Sequence, residues 1–290
     1  MTLVVGATGL LGSEICRLLA ARGKPFRALV RATSDKSKVA QLQSLGAEIA
    51  QGDLKDRSSL EAASKGISAV ISTASSTLSR QEGDSIQTVD LEGQLNLIDA
   101  AKAAGISQFI LVSFPPSANE FPLQDAKRAV EEHLKQSGLN YTILQPSVFM
   151  EVWLSPVLGF DAANAKAQIY GSGQNKISWI SYKDVAKFAT ESLDNPAARN
   201  AVIELGGPEG LSPLEVVRIF EQVQGRAFEV QHVPDEALLA QKKTATDPLQ
   251  ESFAGLMLYY SAGNVIDMSE TLRKLPVQLT SVKDYAQASL

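Results

Sequence analysis

The sequence predicts an α/β protein: a doubly wound parallel sheet followed by a smaller α+β region. Three observations carry that prediction. Short, almost continuously apolar runs alternate with longer helical stretches as far as about residue 145, the pattern of a parallel sheet covered by helices on both faces. A glycine-rich turn joins the first apolar run to the first helical stretch. After Pro146 the alternation fails, and aromatics, prolines and a Gly-Ser-Gly turn at 171–173 take its place.

In chain order, strands are expected at 3–5, 26–30, 48–50, 69–72, 109–112 and 141–144, with helices near 10–22, 36–45, 57–64, 86–104 and 123–137. Each strand is short, bounded by Gly, Ser or Asp, and apolar on successive residues, as a strand buried on both faces should be. Right-handed crossovers leave few topologies for this order, of which the Rossmann-type sheet is the commonest. Further on, strands are expected at 177–180, 201–205 and 227–231, with a helix over 182–193. Another helix over 212–224 is opened by Ser212 as N-cap and Pro213 at its first position. The remainder reads as helical. The division is therefore a Rossmann domain over 1–146 and a smaller cap region over 147–290, interleaved with it because no flexible linker separates the two.

Composition narrows the function. The chain has 290 residues, 44% hydrophobic and 20% charged, an ordinary globular balance. Its apolar runs, such as 109–112, are far shorter than the roughly 18 residues that span a bilayer. It opens directly into an apolar strand with no basic leader, so the expected compartment is the cytoplasm. One cysteine, Cys16, excludes an internal disulfide, and two distant histidines, His133 and His232, leave too few ligands for a zinc site. A net charge of −5 argues against a nucleic-acid partner. Against that acidic background, 22–38 forms a basic island: Arg22, Lys24, Arg27, Arg31, Lys36 and Lys38 against Asp35 alone.

The turn contains Gly6, Thr8, Gly9, Leu10, Leu11 and Gly12. A diphosphate-binding turn needs glycine where the chain curls, where backbone approaches the ligand, and where helix packs on strand. All three are present, and the helix that follows offers free N–H groups to an anion. The second strand separates the two nicotinamide cofactors. An acidic residue at its end suits the ribose hydroxyls of NAD, whereas arginine suits the 2′-phosphate of NADP. Here the strand ends in Arg31, followed by Ser34 and Lys36, so NADP(H) is the expected cofactor and NAD(H) the second choice. Asp53 and Leu54 are placed to flank adenine, and Thr73 and Ala74 supply small residues where backbone passes close to the cofactor.

These residues, with Lys127 on its helix, the strand leading to Pro146, a match at 179–186 and the turn at 206–208, resemble the NmrA-like branch of the atypical short-chain dehydrogenases. That branch holds isoflavone and phenylcoumaran reductases, quinone reductases and NADP(H)-sensing regulators. The resemblance implies that Lys127 holds the nicotinamide ribose and can act as acid or base, and that Ser113, at the position of the main branch's catalytic serine, contacts the cofactor and polarises a substrate carbonyl. It also implies that Pro146, Val148 and Phe149 line the nicotinamide. Phe114, Met150, Trp153 and Tyr170 lie on segments expected to wall the substrate side. In the main branch a tyrosine stands four residues before the lysine; here that position is Leu123, so ketone reduction through a Tyr–Lys pair is excluded. His133, six residues beyond Lys127, is read as solvated.

The expected function is an NADP(H)-dependent oxidoreductase passing hydride to a small conjugated acceptor: a quinone, enone or related aromatic. The alternative is an NADP(H)-sensing regulator of NmrA type with a protein partner. The pattern is also compatible with a homo-oligomer.

Overall fold

The computed structural model describes residues 1–77 and 81–289. The chain forms two compact units. The first comprises Met1–Phe114, Asp125–Gln145 and Val185–Ile203; the second comprises Pro115–Gln124, Pro146–Asp184 and Glu204–Leu290.

Up to residue 146 the elements are β1 (Thr2–Val5), α1 (Leu10–Ala21), β2 (Phe26–Val30), α2 (Lys36–Ser44), β3 (Glu48–Gln51), α3 (Arg57–Ala63), β4 (Ala69–Ser72), α4 (Gln94–Ala103), β5 (Gln108–Val112), α5 (Pro122–Gln136) and β6 (Asn140–Pro146). Strands β3, β2, β1, β4, β5 and β6 pair side by side in that order, all parallel. A seventh strand, β11 (Ala201–Leu205), lies beside β6. The order reverses between β1 and β4, which makes the carboxyl end of β1 the switch point where α/β sheets take ligands.

Local chemistry sets the boundaries. β1 and β4 are buried at every residue, which only continuous apolar or small residues permit. α1 buries Leu11, Ile15, Cys16 and Leu19, a helical stripe, and stops at Gly23, whose φ of +64° is left-handed. Asp35 caps α2 by accepting from the Ser37 and Lys38 amides, and Asp56 caps α3 in the same way. Phe109, Leu97, Ile98, Leu60 and Val130 lie in the core that the sheet shares with α3, α4 and α5. Cys16, on the buried stripe of α1, has its thiol pushed up to about 12 by burial, partly offset by a backbone hydrogen bond. Folded protein at pH 8 is accordingly expected to leave a thiol-titrating disulfide reagent unreacted until denaturant is added.

The helix expected over 86–104 is two segments. Ile86–Gly93 is π-helical and only Gln94–Ala103 is α-helical. Ser85 opens the π segment, its hydroxyl accepting from the Thr88 amide while the Thr88 hydroxyl accepts from the Ser85 amide. A π turn adds a residue to the helical repeat and is frequent at functional sites; here it contains Asp90, which is wholly buried.

The remaining elements are β7 (Val148–Phe149), α6 (Met150–Trp153), β8 (Phe160–Asp161), β9 (Lys166–Tyr170), β10 (Ile177–Ile180), α7 (Tyr182–Glu191), β11 (Ala201–Leu205), β12 (Gly210–Leu211), α8 (Pro213–Gln224), β13 (Glu229–Val233), α9 (Asp235–Thr244), α10 (Pro248–Ala262), α11 (Ser269–Lys274) and α12 (Val282–Ala288). Within the second unit β10 pairs with β7 and β12, and β9 pairs with β8 and β13. Its core gathers Trp179, Phe220, Phe160 and Tyr260, with Trp153 stacked on Tyr260 at 4.6 Å between ring centres. α8 carries the expected cap, Ser212 and Glu215 bonding reciprocally, and ends at the left-handed Gly225. Among the described residues no helix is long and apolar enough to cross a membrane.

Candidate functional site

The first unit concentrates the site's chemistry at the carboxyl ends of β1, β2, β4 and β5. Gly6 follows β1 with φ +83°, and the Gly9 amide donates to its carbonyl at 2.9 Å. A Cβ at Gly6 would lie 2.6 Å from Thr73 Oγ1, and one at Gly12 only 2.1 Å from the Gly6 carbonyl oxygen. A Cβ at Gly9, in contrast, would meet nothing but the Gly6 carbonyl, at 3.2 Å. Two glycines therefore close the turn and seat α1 against it, while the third keeps one side open to an approaching group. Gly9 is also the N-cap of α1 and has no side chain to cap it, and the first turn holds no acid. The amides at that end remain available to an anion, so the cradle fits a diphosphate.

Around the turn, Thr73 donates from both its amide and its hydroxyl to the Val5 carbonyl. The Ala74 carbonyl accepts from Gln94 Nε2 at 3.0 Å. Lys38 Nζ reaches the Thr8 carbonyl at 3.2 Å. Leu11 is buried and Leu10 is exposed. Leu54 is buried as well, packed so closely on Gly93 that a Cβ there would come within 2.8 Å of its own; its side chain is a core residue.

The basic island resolves into separate tasks. Arg22 pairs with Glu191 at 2.5 Å, Lys24 with Asp194, and Arg27 with Glu48 at 2.7 Å. Asp35, the one acid of the island, is spent as the α2 cap. What remains at the end of β2 is Arg31, the exposed Lys36, and Lys38. Ser34 braces this corner, its hydroxyl accepting from the Arg31 amide at 3.0 Å. Arg31 Nη1 lies 2.6 Å from Asp84 Oδ2, and Lys55 pairs with the other oxygen of Asp84 and, at 3.3 Å, with Asp53.

Lys127 is buried, its Nζ 3.1 Å from Asp90 Oδ1. The other Asp90 oxygen accepts from the Ser76 amide at 2.9 Å and the Ser76 hydroxyl at 2.6 Å. Burial alone would push the Asp90 carboxyl up; the Lys127 charge and hydrogen bonds from Ser76 and Ser75 overcome it and hold the group below the usual carboxylate range. Ser113, which follows β5, accepts at Oγ from Arg128 Nη2 at 3.0 Å. The same nitrogen binds the Phe114 carbonyl at 2.5 Å, and the guanidinium lies 5.4 Å from the Phe114 ring centre. Arg128 pairs in turn with buried Glu131, which accepts from Gln145. With an acceptor site of its oxygen filled, the Ser113 hydroxyl has its proton to offer elsewhere. Leu123 is buried, and His133 pairs with Asp99 at 2.8 Å on a half-exposed surface.

Pro146, Val148, Phe149, Met150, Trp153 and Tyr170 lie in the second unit. Val148 and Phe149 pair with Trp179 and Ile180. Met150 is fully buried, and Tyr170 is buried with its hydroxyl on the Leu158 carbonyl at 3.3 Å, both as core; Trp153 is partly exposed. The sequence reading missed Asp84, Asp90, Arg128 and Glu131. Adjacency to Lys127 marks Arg128; nothing local marks Asp84, or singles out Asp90 from Glu92 and Asp99 in the same stretch.

A glycine cradle at the switch point, with an arginine ending the second strand and a buried lysine on the fifth helix, defines a dinucleotide-binding α/β protein. The chain belongs to the NmrA-like family, which it matches over residues 1–286. It is 33% identical over 229 residues to the NAD(P)H azoreductase of Xenophilus azovorans, covering 78% of this chain and 74% of that protein. It is 34% identical to the photosystem II assembly factor Ycf39 of Cyanophora paradoxa, over 80% of this chain and 71% of the relative. In fold it is similar to the Citrobacter sp. triphenylmethane reductase complexed with NADP(H), with a TM-score of 0.81, 21% identity and both chains covered in full.

Proposed function

We propose that the protein is an NADP(H)-dependent oxidoreductase that delivers hydride to a small conjugated acceptor, a quinone, enone or related aromatic. The observation that carries this reading is the buried Lys127–Asp90 pair in the same unit as the diphosphate cradle. Desolvating two charges is costly, and the arrangement fixes an ammonium at one position. Similarity to an NAD(P)H azoreductase supports the same reading.

Gly6, Gly9, Gly12 and the start of α1 would hold the diphosphate, Arg31 with Ser34 and Lys36 the 2′-phosphate, and Lys127 the nicotinamide ribose. The reduced nicotinamide supplies the hydride. Asp90 keeps Nζ in place, and the Ser113 hydroxyl, oriented by Arg128, donates a hydrogen bond to an amide or acceptor oxygen. The acceptor's proton comes from Lys127 or from water; Leu123 has none to give. A reduced quinone is a weak base that water can protonate, so the missing tyrosine harms this reaction less than it would ketone reduction. The single, buried cysteine suits a reducing compartment such as the cytoplasm.

The test is NADPH oxidation, followed at the nicotinamide absorbance band, against a panel of quinones, enones and azo dyes. Turnover is expected with at least one class. Lys127→Ala is expected to lower kcat by about a hundredfold or more while circular dichroism stays that of the wild type. Leu123 and the likeness to an assembly factor favour a second reading, a cofactor-sensing protein with a protein partner. Tight NADPH binding without oxidation of the cofactor by any acceptor would decide for it.

A further inference from the structure

We propose that Asp84 sets the margin by which the site prefers a 2′-phosphorylated adenosine over an unphosphorylated one. This rests on the reading that the cradle and Arg31 take NADP(H). Arg31 meets Asp84 at 2.6 Å, and Lys55 meets the other oxygen of the same carboxylate. The Asp84 side chain is 2% exposed, whereas those of Arg31 and Lys55 are 34% and 29% exposed. Lys55 also contacts Asp53. Among the described residues, the corner that looked basic along the chain therefore sets Arg31 and Lys55 against Asp53 and Asp84.

Asp84 has two opposed effects on a phosphate arriving at Arg31. Its oxygen fixes one edge of the guanidinium and leaves the planar fork's other donors for an anion. Its charge, immediately behind Arg31 and shielded from water, repels the incoming dianion at a distance where screening is weak. A nucleotide that ends in a ribose hydroxyl experiences neither effect strongly. Asparagine keeps an oxygen that accepts from Arg31 and removes the charge, so Asp84→Asn separates the two.

The experiment is calorimetric titration of the full chain with NADPH, NADH, adenosine 2′,5′-bisphosphate and 5′-AMP. Asp84→Asn is expected to tighten NADPH and the bisphosphate by about tenfold and to leave NADH and 5′-AMP within about twofold. Lys55→Met, which removes one cation that shares Asp84 with Arg31, is expected to weaken NADPH selectively, and less so in the Asp84→Asn background. Should Asp84→Asn not fold, the selective loss in Lys55→Met carries the test. An unchanged or lowered NADPH-to-NADH preference in Asp84→Asn, or equal changes for both cofactors in Lys55→Met, overturns the assignment while leaving the reductase reading intact. Wild-type protein that binds none of the four would instead overturn the reading beneath it.

Discussion

Asp90→Leu is expected to destabilise the first unit by about 3–5 kcal/mol, a large share of what holds a domain of this size together. The substitution leaves Lys127 buried with no counter-charge and frees the Ser76 amide and hydroxyl from their acceptor. Replacing both charges, as Asp90→Leu with Lys127→Met, is expected to recover most of the loss, because an apolar pair incurs no charge desolvation. Denaturant unfolding of the two single variants and the double variant reads the coupling. Additive losses would show that the pair is not a unit. The same group sets an acid limit. Asp90 binds its proton more weakly folded than unfolded, so its contribution is complete above the unfolded carboxylate pKa of about 4 and is lost as pH falls through the lower folded value. Wild-type stability should fall over that acid range, and the fall should be shallower in the double variant.

Gly12→Val should abolish dinucleotide binding, with an affinity loss of at least about a hundredfold, and lower stability by about 3 kcal/mol. A Cβ 2.1 Å from the Gly6 carbonyl cannot be accommodated without moving α1 off the turn. Gly9→Ala supplies the contrast. Its Cβ would meet one atom, at 3.2 Å, so the melting temperature should barely move, while the added methyl sits on the side left open to the ligand. Separate loss of stability and affinity at Gly12, against loss of affinity alone at Gly9, distinguishes a packing glycine from a binding one. A Gly12→Val variant that bound NADPH like the wild type would refute the assignment of the turn.

Much of this was legible in the sequence because it is local. Of the strands from β1 to β6 all but β3, the exposed edge strand, are largely buried apolar runs, and the Gly6, Gly9 and Gly12 turn is a matter of spacing alone. The family resemblance likewise rests on contiguous motifs. What stayed hidden is non-local. The basic island looked like a single electrostatic feature, yet Arg22 and Lys24 find partners about 170 residues away at Glu191 and Asp194. Arg31 is matched by an acid 53 residues later. The π turn around Asp90 carries no signature in a stretch with ordinary helical spacing. β9 was missed although Lys166–Tyr170 alternates, with Ala167 and Ile169 buried, because glycine, proline and aromatics on either side read as loop.

The return of Val185–Ile203 to the first unit bears on how the protein is made. With β11 lying against β6, a ribosome must extrude the chain past residue 203 before the nucleotide-binding half is whole. Until then β6 is an uncovered sheet margin open to mispairing. A fragment ending at residue 146 would keep that raw border permanently, and expression boundaries for a stable nucleotide-binding piece cannot be drawn with a single cut.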